Sequence, residues 1–385
     1  MDYETLKVIW WGLVLFLLIG FVVMDGFDLG IGIVFSFVPN ANERDVMMNS
    51  VAPVWDGNET WLVLGGAGVG YFLIRKPAAP LSTAAPAGIH SPIRKIVVLN
   101  SDALEALRIL DADDRIVGVY SDIASEAPLW PDMAAKPHVG KWSEPNIEAI
   151  ARLAPDVVIH YSGVAPYLET KLQPLGIGVL RMDLFRIDTL AQEMLQLGQA
   201  LGKQPEAQRF NAWQQDIIQT VRQQTAPVSA KARVYLENYG DYRASGPGSG
   251  MHQLCEMANG LNVAASLDTA YPRVAPEWIV AENPDIILKL SGKVEGYKLQ
   301  DSAFYNQLRD RLAARPAWSH IQAVKDGKVH VMNGAMMSGP RAAIALAYMA
   351  KWIYPANMQG VDPGALHRHY METFLRKPFQ GRYFS

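Results

Sequence analysis

Apolar positions along this chain follow two different rhythms. Residues 8–23 are apolar or glycine throughout and carry no charge, and after Asp25 and Asp28 the apolar pattern resumes to about Val38. That is long enough to span a hydrocarbon core, which takes about 20 residues of helix. A second run, Trp61–Ile74, is shorter and glycine-rich and is closed by Arg75 and Lys76. Beyond residue 76 no apolar run approaches spanning length. From residue 94 onward short β-type runs alternate with amphipathic stretches instead. Ile96–Leu99, Ile116–Tyr120, Asp156–His160 and Gly178–Met182 read as strands, with helices over Ser101–Leu110 and Pro145–Leu153. From about Thr189 to Gln224 strand signals disappear. Phe210, Trp213, Ile217, Ile218 and Val221 recur there at the spacing of one buried helical face, with breaks near Gly202 and Pro205. The alternation then restarts with Arg233–Glu237, a glycine-rich turn, a helix around Met251–Asn259, and strands Ile286–Leu288 and Val329–Met332.

Alternating strands and helices imply α/β layers. The fold expected is therefore α/β: two α/β lobes joined by a long helix, preceded by an N-terminal two-helix transmembrane segment. The boundaries read as 1–76 for the membrane segment, 77–92 for a Pro/Ala-rich linker, 93–188 for the first lobe, 189–228 for the connecting helix and 229–385 for the second lobe. The start of the chain, with Asp2, Glu4 and Lys7, is acidic on balance, whereas a secretory signal begins positively charged. The linker suits a semi-extended tether, and its small residues equally suit a peptidase cut.

Charge and reactive residues narrow the function. The 385 residues carry a formal charge of -3 with no basic block, which argues against a nucleic-acid partner. A single cysteine excludes an internal disulfide and a thiolate cluster, and Cys255 lies in an apolar-periodic stretch that suits a small buried hydrophobe. The eight histidines form no His-Glu-x-x-His array, and no Gly-x-Ser-x-Gly elbow occurs. No catalytic residue, no metal ligand set and no enzymatic activity are expected. Residues 246–250, rich in glycine and followed by a helix, are either an anion-binding turn or a plain tight turn; they lack the ending of a P-loop.

Two resemblances add to this reading. The stretches Met24–Gly30 and Ala52–Leu62 contain Asp-Gly-Phe-Asp-Leu-Gly and Trp-Asp-Gly-Asn motifs. With these, residues 1 to about 66 resemble the first two helices of subunit II of the cytochrome bd-type quinol oxidases. The resemblance implies that Asp25 and Asp56 match carboxylates of a proton path serving the haems. Two helices cannot enclose such a path, and the segment contains no histidine before His90, so Asp25 and Asp56 read as remnants. Positive-inside counting of Arg75 and Lys76 would place the following chain in the cytoplasm. The resemblance places it on the periplasmic or extracellular side of the inner membrane, and that orientation is adopted.

The rest of the chain resembles the substrate-binding proteins of ABC importers for iron-siderophore, haem and cobalamin. The matching phrases are Ile96–Glu105, Glu144–Ile150, Leu153–Ile159, Val274–Asp285, Val324–Val329 and Ser338–Arg341. This implies a ligand in the cleft between lobes, on strand-end loops. Ser101, Asp102, Trp142, Tyr161, Tyr239, Tyr242, Tyr271, Arg273, Met337 and Arg341 are the expected ligand-binding residues. The two arginines would pair with ligand oxygens and the aromatic residues would wall a large ligand. Glu148 and Glu277, at helix starts in opposite lobes, are expected to dock onto an ABC permease. The expected ligand is an iron or corrinoid chelate, with no cofactor held by protein side chains. The alternative is a truncated oxidase subunit II fused to an unrelated binding domain.

Overall fold

Runs that are apolar on both faces, such as Ile96–Val98 and Ile286–Leu288, suit a parallel sheet covered by helices on both sides. In the computed structural model, which describes residues 92–292 and 296–385, these strands form two such sheets. The oxidase-like segment, with Asp25 and Asp56, and most of the linker lie outside the described residues. Among the described residues no helix is long and apolar enough to cross a membrane.

The first lobe runs β1 (Ile96–Val98), α1 (Ser101–Ile109), β2 (Ile116–Val119), α2 (Ile147–Leu153), β3 (Val157–His160), α3 (Leu168–Leu172) and β4 (Gly178–Arg181). Its sheet has the order β2-β1-β3-β4, parallel throughout. Then come α4 (Leu190–Leu201) and α5 (Gln204–Thr225). The second lobe runs β5 (Arg233–Glu237), α6 (Gly250–Met257), β6 (Leu261–Asn262), α7 (Pro276–Glu282), β7 (Ile286–Ser291), α8 (Ala303–Ala313) and β8 (Val329–Asn333). Its order, β6-β5-β7-β8, repeats that of the first. The chain ends with α9 (Ala342–Ile353), α10 (Pro363–His369) and an extended tail.

The stretch expected to connect the lobes is two helices. Gly202, left-handed at φ 68, caps α4, and Pro205 opens α5 in its first turn, where its missing N–H is harmless. Helix α4 packs along α5, which leaves the 22-residue α5 as the connection. Its buried face, including Phe210, Ile217, Ile218 and Val221, joins a core that continues into both lobes and α9.

Local chemistry explains the phrase Pro-Asp that precedes one strand in each lobe. Asp156 precedes β3, and its Oδ2 accepts from the amides of Arg94 and Lys95 at 2.7 and 2.8 Å, fixing the entry to β1. Asp285 precedes β7, and its Oδ2 accepts from the amide of Arg233 at 2.8 Å, at the entry to β5. The residues two before them, Ala154 and Asn283, end α2 and α7 in left-handed conformations.

The tail does not stay in the second lobe. Arg376 pairs with Asp111 at 3.0 Å and Asp113 at 2.6 Å, and Lys377 with Asp132 at 3.1 Å, all in the first lobe. A few residues later the amide of Asn333 donates to Tyr383 O at 2.7 Å and the amide of Ser385 donates to Val331 O at 3.0 Å, both at β8. The range 229–385 thus reaches back onto the first lobe.

Candidate functional site

Loops that leave the carboxyl ends of parallel strands converge on one side of their sheet. Here the two sets face each other across a cleft of about 720 Å3. The first lobe supplies Asp102 at the start of α1, Tyr161 after β3, and Phe185 and Arg186 after β4. The second supplies Asn238 and Tyr239 after β5, residues 248–254 at the start of α6, Tyr271, and Met337 and Ser338 after β8. Beyond Asp102 and Ser338 lies a smaller chamber of about 230 Å3, bordered by Ser101, Glu126, Lys298 and Arg341.

Asn100 sets the first wall. Its side chain accepts from the amide of Ala103 at 2.8 Å and so caps α1, which places Asp102 in the first turn, where helix amides favour negative charge. The Tyr161 hydroxyl donates to Asp102. Burial, reinforced by the Asp102 charge, pushes that phenol well above its usual range, so it remains a donor. Phe185 meets the Tyr161 ring edge-on at 5.7 Å, and Trp142 does so at 6.3 Å from the far side. On the second wall Tyr239 and Tyr271 are 48% and 43% exposed, and Phe185 opposite is 40% exposed. Rings this open inside a concavity are not core packing. They are available to the faces of a ligand. Burial raises the Tyr239 phenol, and the Tyr271 phenol adds to the effect.

The other expected residues fall elsewhere. Trp142 is 44% exposed and touches the cleft only through Tyr161. Tyr242 packs in the second-lobe core under Arg315, whose guanidinium lies 4.4 Å from its ring centre. Arg273 is exposed, bridged to Arg243 along the backbone, and does not line the cleft. Arg341 borders the smaller chamber, but its Nε and Nη2 donate to the two carboxylate oxygens of Glu105 at 2.7 and 3.0 Å. The Tyr370 hydroxyl donates to the same carboxylate. Arg341 is buried and held firmly charged, since the attraction of Glu105 outweighs its desolvation. Its fork therefore ties the second lobe to α1 of the first.

Phe185, Arg186 and His252 are among the cleft residues that were not anticipated. Phe185 and Arg186 follow β4, and the rule that strand ends line the cleft would have found them. Arg186 is paired with Asp188 at 2.7 Å, which raises its pKa. His252 is on α6, capped by the Ser249 hydroxyl, which accepts from the His252 amide at 3.2 Å. Its Nδ1 lies 2.9 Å from Asn262 Nδ2, which also donates to Ser245 O, so Nδ1 is the acceptor and Nε2 carries the proton. The glycine-rich turn before α6 thus does line the cleft. Among the described residues no group of three His, Cys, Asp or Glu is arranged to hold a metal. His160 is fully buried behind the first wall and Cys255 is buried in the core, where desolvation pushes its thiol up to about 12. Glu148 and Glu277 are both exposed, each the second residue of the helix that precedes the third strand of its lobe.

Two parallel α/β lobes around a cleft, joined by a helix, define a solute-binding protein. Residues 96–335 match the periplasmic binding protein family, and the chain belongs to that family. Residues 6–72 match a second family, cytochrome bd terminal oxidase subunit II, so the chain is a chimera. The first part is 56% identical over 66 residues to the cytochrome bd-I ubiquinol oxidase subunit 2 of Escherichia coli K12, and the match covers 17% of each chain. The chain thus spans 17% of the length of that oxidase subunit. Over 324 residues it is 27% identical to the molybdate-binding protein MolA of Haemophilus influenzae, covering 76% of this chain and 89% of that one. In structure it resembles the TroA-like periplasmic binding protein FepB of Veillonella parvula, with TM-score 0.68, 21% identity, and coverage of 76% of this chain and 95% of that one. At that identity the likeness speaks to fold alone.

Proposed function

We propose that residues 93–385 are the substrate-binding component of an ABC importer and close their lobes on a metal chelate. The supporting observation is a cleft of about 720 Å3 lined by the exposed rings of Phe185 on one wall and Tyr239 and Tyr271 on the other, with the half-buried Tyr161 behind Phe185. A bare oxyanion would leave most of that volume empty and would make no use of aromatic faces. A ferric siderophore, a haem or a corrinoid would fill it and present flat apolar surface. The chelate brings its own metal, so no protein ligands are required. The protein does no chemistry. Glu148 and Glu277, equivalent in the two lobes, meet basic residues of the permease. The oxidase-like segment holds the binding domain at the inner membrane, on its periplasmic or extracellular side. The single connecting helix α5 limits closure to a small rotation.

The test is tryptophan fluorescence of the full chain in detergent, titrated with ferrichrome, haemin, cyanocobalamin, molybdate and tungstate. Saturable quenching by one chelate, weakened in Tyr239→Ala and Tyr271→Ala, is the expected result. Saturation by molybdate or tungstate alone would replace the chelate by an oxyanion, as the printed name of the Haemophilus relative would have it. A second reading, an oxidase fragment carrying an unrelated domain, is favoured by the 56% match at the N-terminus. It predicts quinol oxidation by membranes that contain the full chain, and none without residues 1–76.

A further inference from the structure

The second cleft wall rests on a residue with no side chain. Gly334 opens the turn after β8, and a Cβ built there would fall 2.5 Å from Cε1 and 2.8 Å from Cζ of Tyr239. Such separations do not occur between real atoms, so the hydroxyl end of the Tyr239 ring rests against bare backbone at Gly334. The loop under Tyr239 has little freedom to retreat. Lys289 Nζ, on β7, donates to the carbonyls of Asn238, Tyr239 and Gly240 at 2.8, 3.2 and 3.1 Å. It also pairs with buried Glu237 at 2.9 Å, which Arg315 holds in turn at 2.8 Å. Any atom added at 334 must therefore be met by rotation of the Tyr239 ring. The backbone of Gly334 is not in the left-handed region, so alanine fits it without strain.

We infer that Gly334 is a specificity-determining residue that acts through Tyr239: the absent side chain sets how far the ring lies back, and so which ligand thickness the cleft accepts. This rests on the reading of the cleft as the ligand site. A side chain at 334, itself a position on the cleft wall, would tilt Tyr239 towards Tyr271 and Phe185 and narrow the slot.

The experiment is a double-mutant cycle in the full chain with ferrichrome, haemin and cyanocobalamin as probes. Gly334→Ala should keep the wild-type melting temperature and weaken the best-bound probe by about tenfold, the scale on which a central interface aromatic acts. In a Tyr239→Ala background the same substitution should change nothing further. Unchanged affinity in Gly334→Ala, or an equal loss with and without Tyr239, overturns the inference while leaving the chelate reading intact. Should the wild type bind none of the three, that reading fails. Nitration by tetranitromethane, read by mass spectrometry, then decides the Gly334–Tyr239 contact: the rate at Tyr239 should change in Gly334→Ala, and an unchanged rate overturns it.

Discussion

The two lobes share a sheet order, a Pro-Asp clamp and a glutamate at the same helix start, yet they secure their cleft loops by opposite means. In the second lobe the end of β5 carries Glu237, fully buried, against Lys289 and Arg315. That ion network pins the loop behind Tyr239. The corresponding strand end of the first lobe is apolar, and its loop is secured by the Asn100 cap and the Tyr161–Asp102 bond. Equal topology therefore leaves the choice between buried charge and helix capping open. A buried network resists partial removal, because any partner left behind is a desolvated charge.

That difference can be broken directly. Glu237→Ala leaves Lys289 and Arg315 only the exposed Asp241 carboxylate as a charged partner and should destabilise the protein by about 3 kcal/mol in urea unfolding. Asn100→Ala, the nearest equivalent in the first lobe, should cost only about 1 kcal/mol, the usual worth of an N-cap. Similar losses at the two sites would erase the contrast.

Acid sharpens it next. Burial holds His160 of the first lobe and His330 of the second at about 4, helped by Arg181 and Arg309 respectively, and holds His367 at about 3, helped by Arg341. All three are neutral bases when folded and titrate near 6.5 when unfolded. Below that value the unfolded chain binds more protons, so stability present at neutral pH is lost as pH falls from about 6.5 to about 4, at no more than about 1.4 kcal/mol per pH unit per histidine. His160→Gln and His330→Gln should each flatten the curve of unfolding free energy against pH by one proton's worth in that window. An unaltered curve in either variant would show that its histidine titrates alike in the folded and unfolded chain.

The smallest effect separates the two helix ends. Ala154, at φ 44, occupies the left-handed region with no compensation, whereas Asn283, at φ 42, uses its side chain to accept from the amide of Gln322 at 2.8 Å. Ala154→Gly should stabilise by roughly 0.5–1 kcal/mol by relieving that strain. Asn283→Gly should do the reverse, because it strands the Gln322 amide. Melting temperatures moving in opposite directions would bear this out, and parallel shifts would not.

The architecture was legible because fully buried strands read as unbroken apolar runs and the connecting helices as a long stretch without them. Even the breaks at Gly202 and Pro205 were visible, since both residues act through their own backbone. The walls of the cleft were legible to the extent that strand-end rules reach: Asp102, Tyr161, Tyr239, Tyr271 and Met337 line it. Arg341 and Tyr242 were not readable in the same way. Each is engaged by a partner far along the chain, Glu105 at a separation of 236 residues for the first and Arg315 for the second. Nothing in a local sequence window distinguishes a guanidinium waiting for a ligand from one already bound to a carboxylate. Gly334 was silent for the opposite reason, since its contribution is the space it leaves.

The tail that returns to the first lobe has a consequence for the order in which the molecule is completed. The first sheet closes with partners no further apart than β1 and β4. Its polar edge, however, waits for Arg376, 263 residues beyond Asp113, and the Glu105 carboxylate waits for Tyr370, 265 residues away. Contacts of such range form late and slowly. Before the tail is made, Arg108 can already pair with Asp113 and Asp132 and Lys203 with Asp111, so Arg376 and Lys377 add a second set of positive partners to carboxylates that are partly neutralised. The tie between α1 of the first lobe and the second lobe, made at the Glu105 carboxylate, is therefore completed only once residues 341 and 370 have been made.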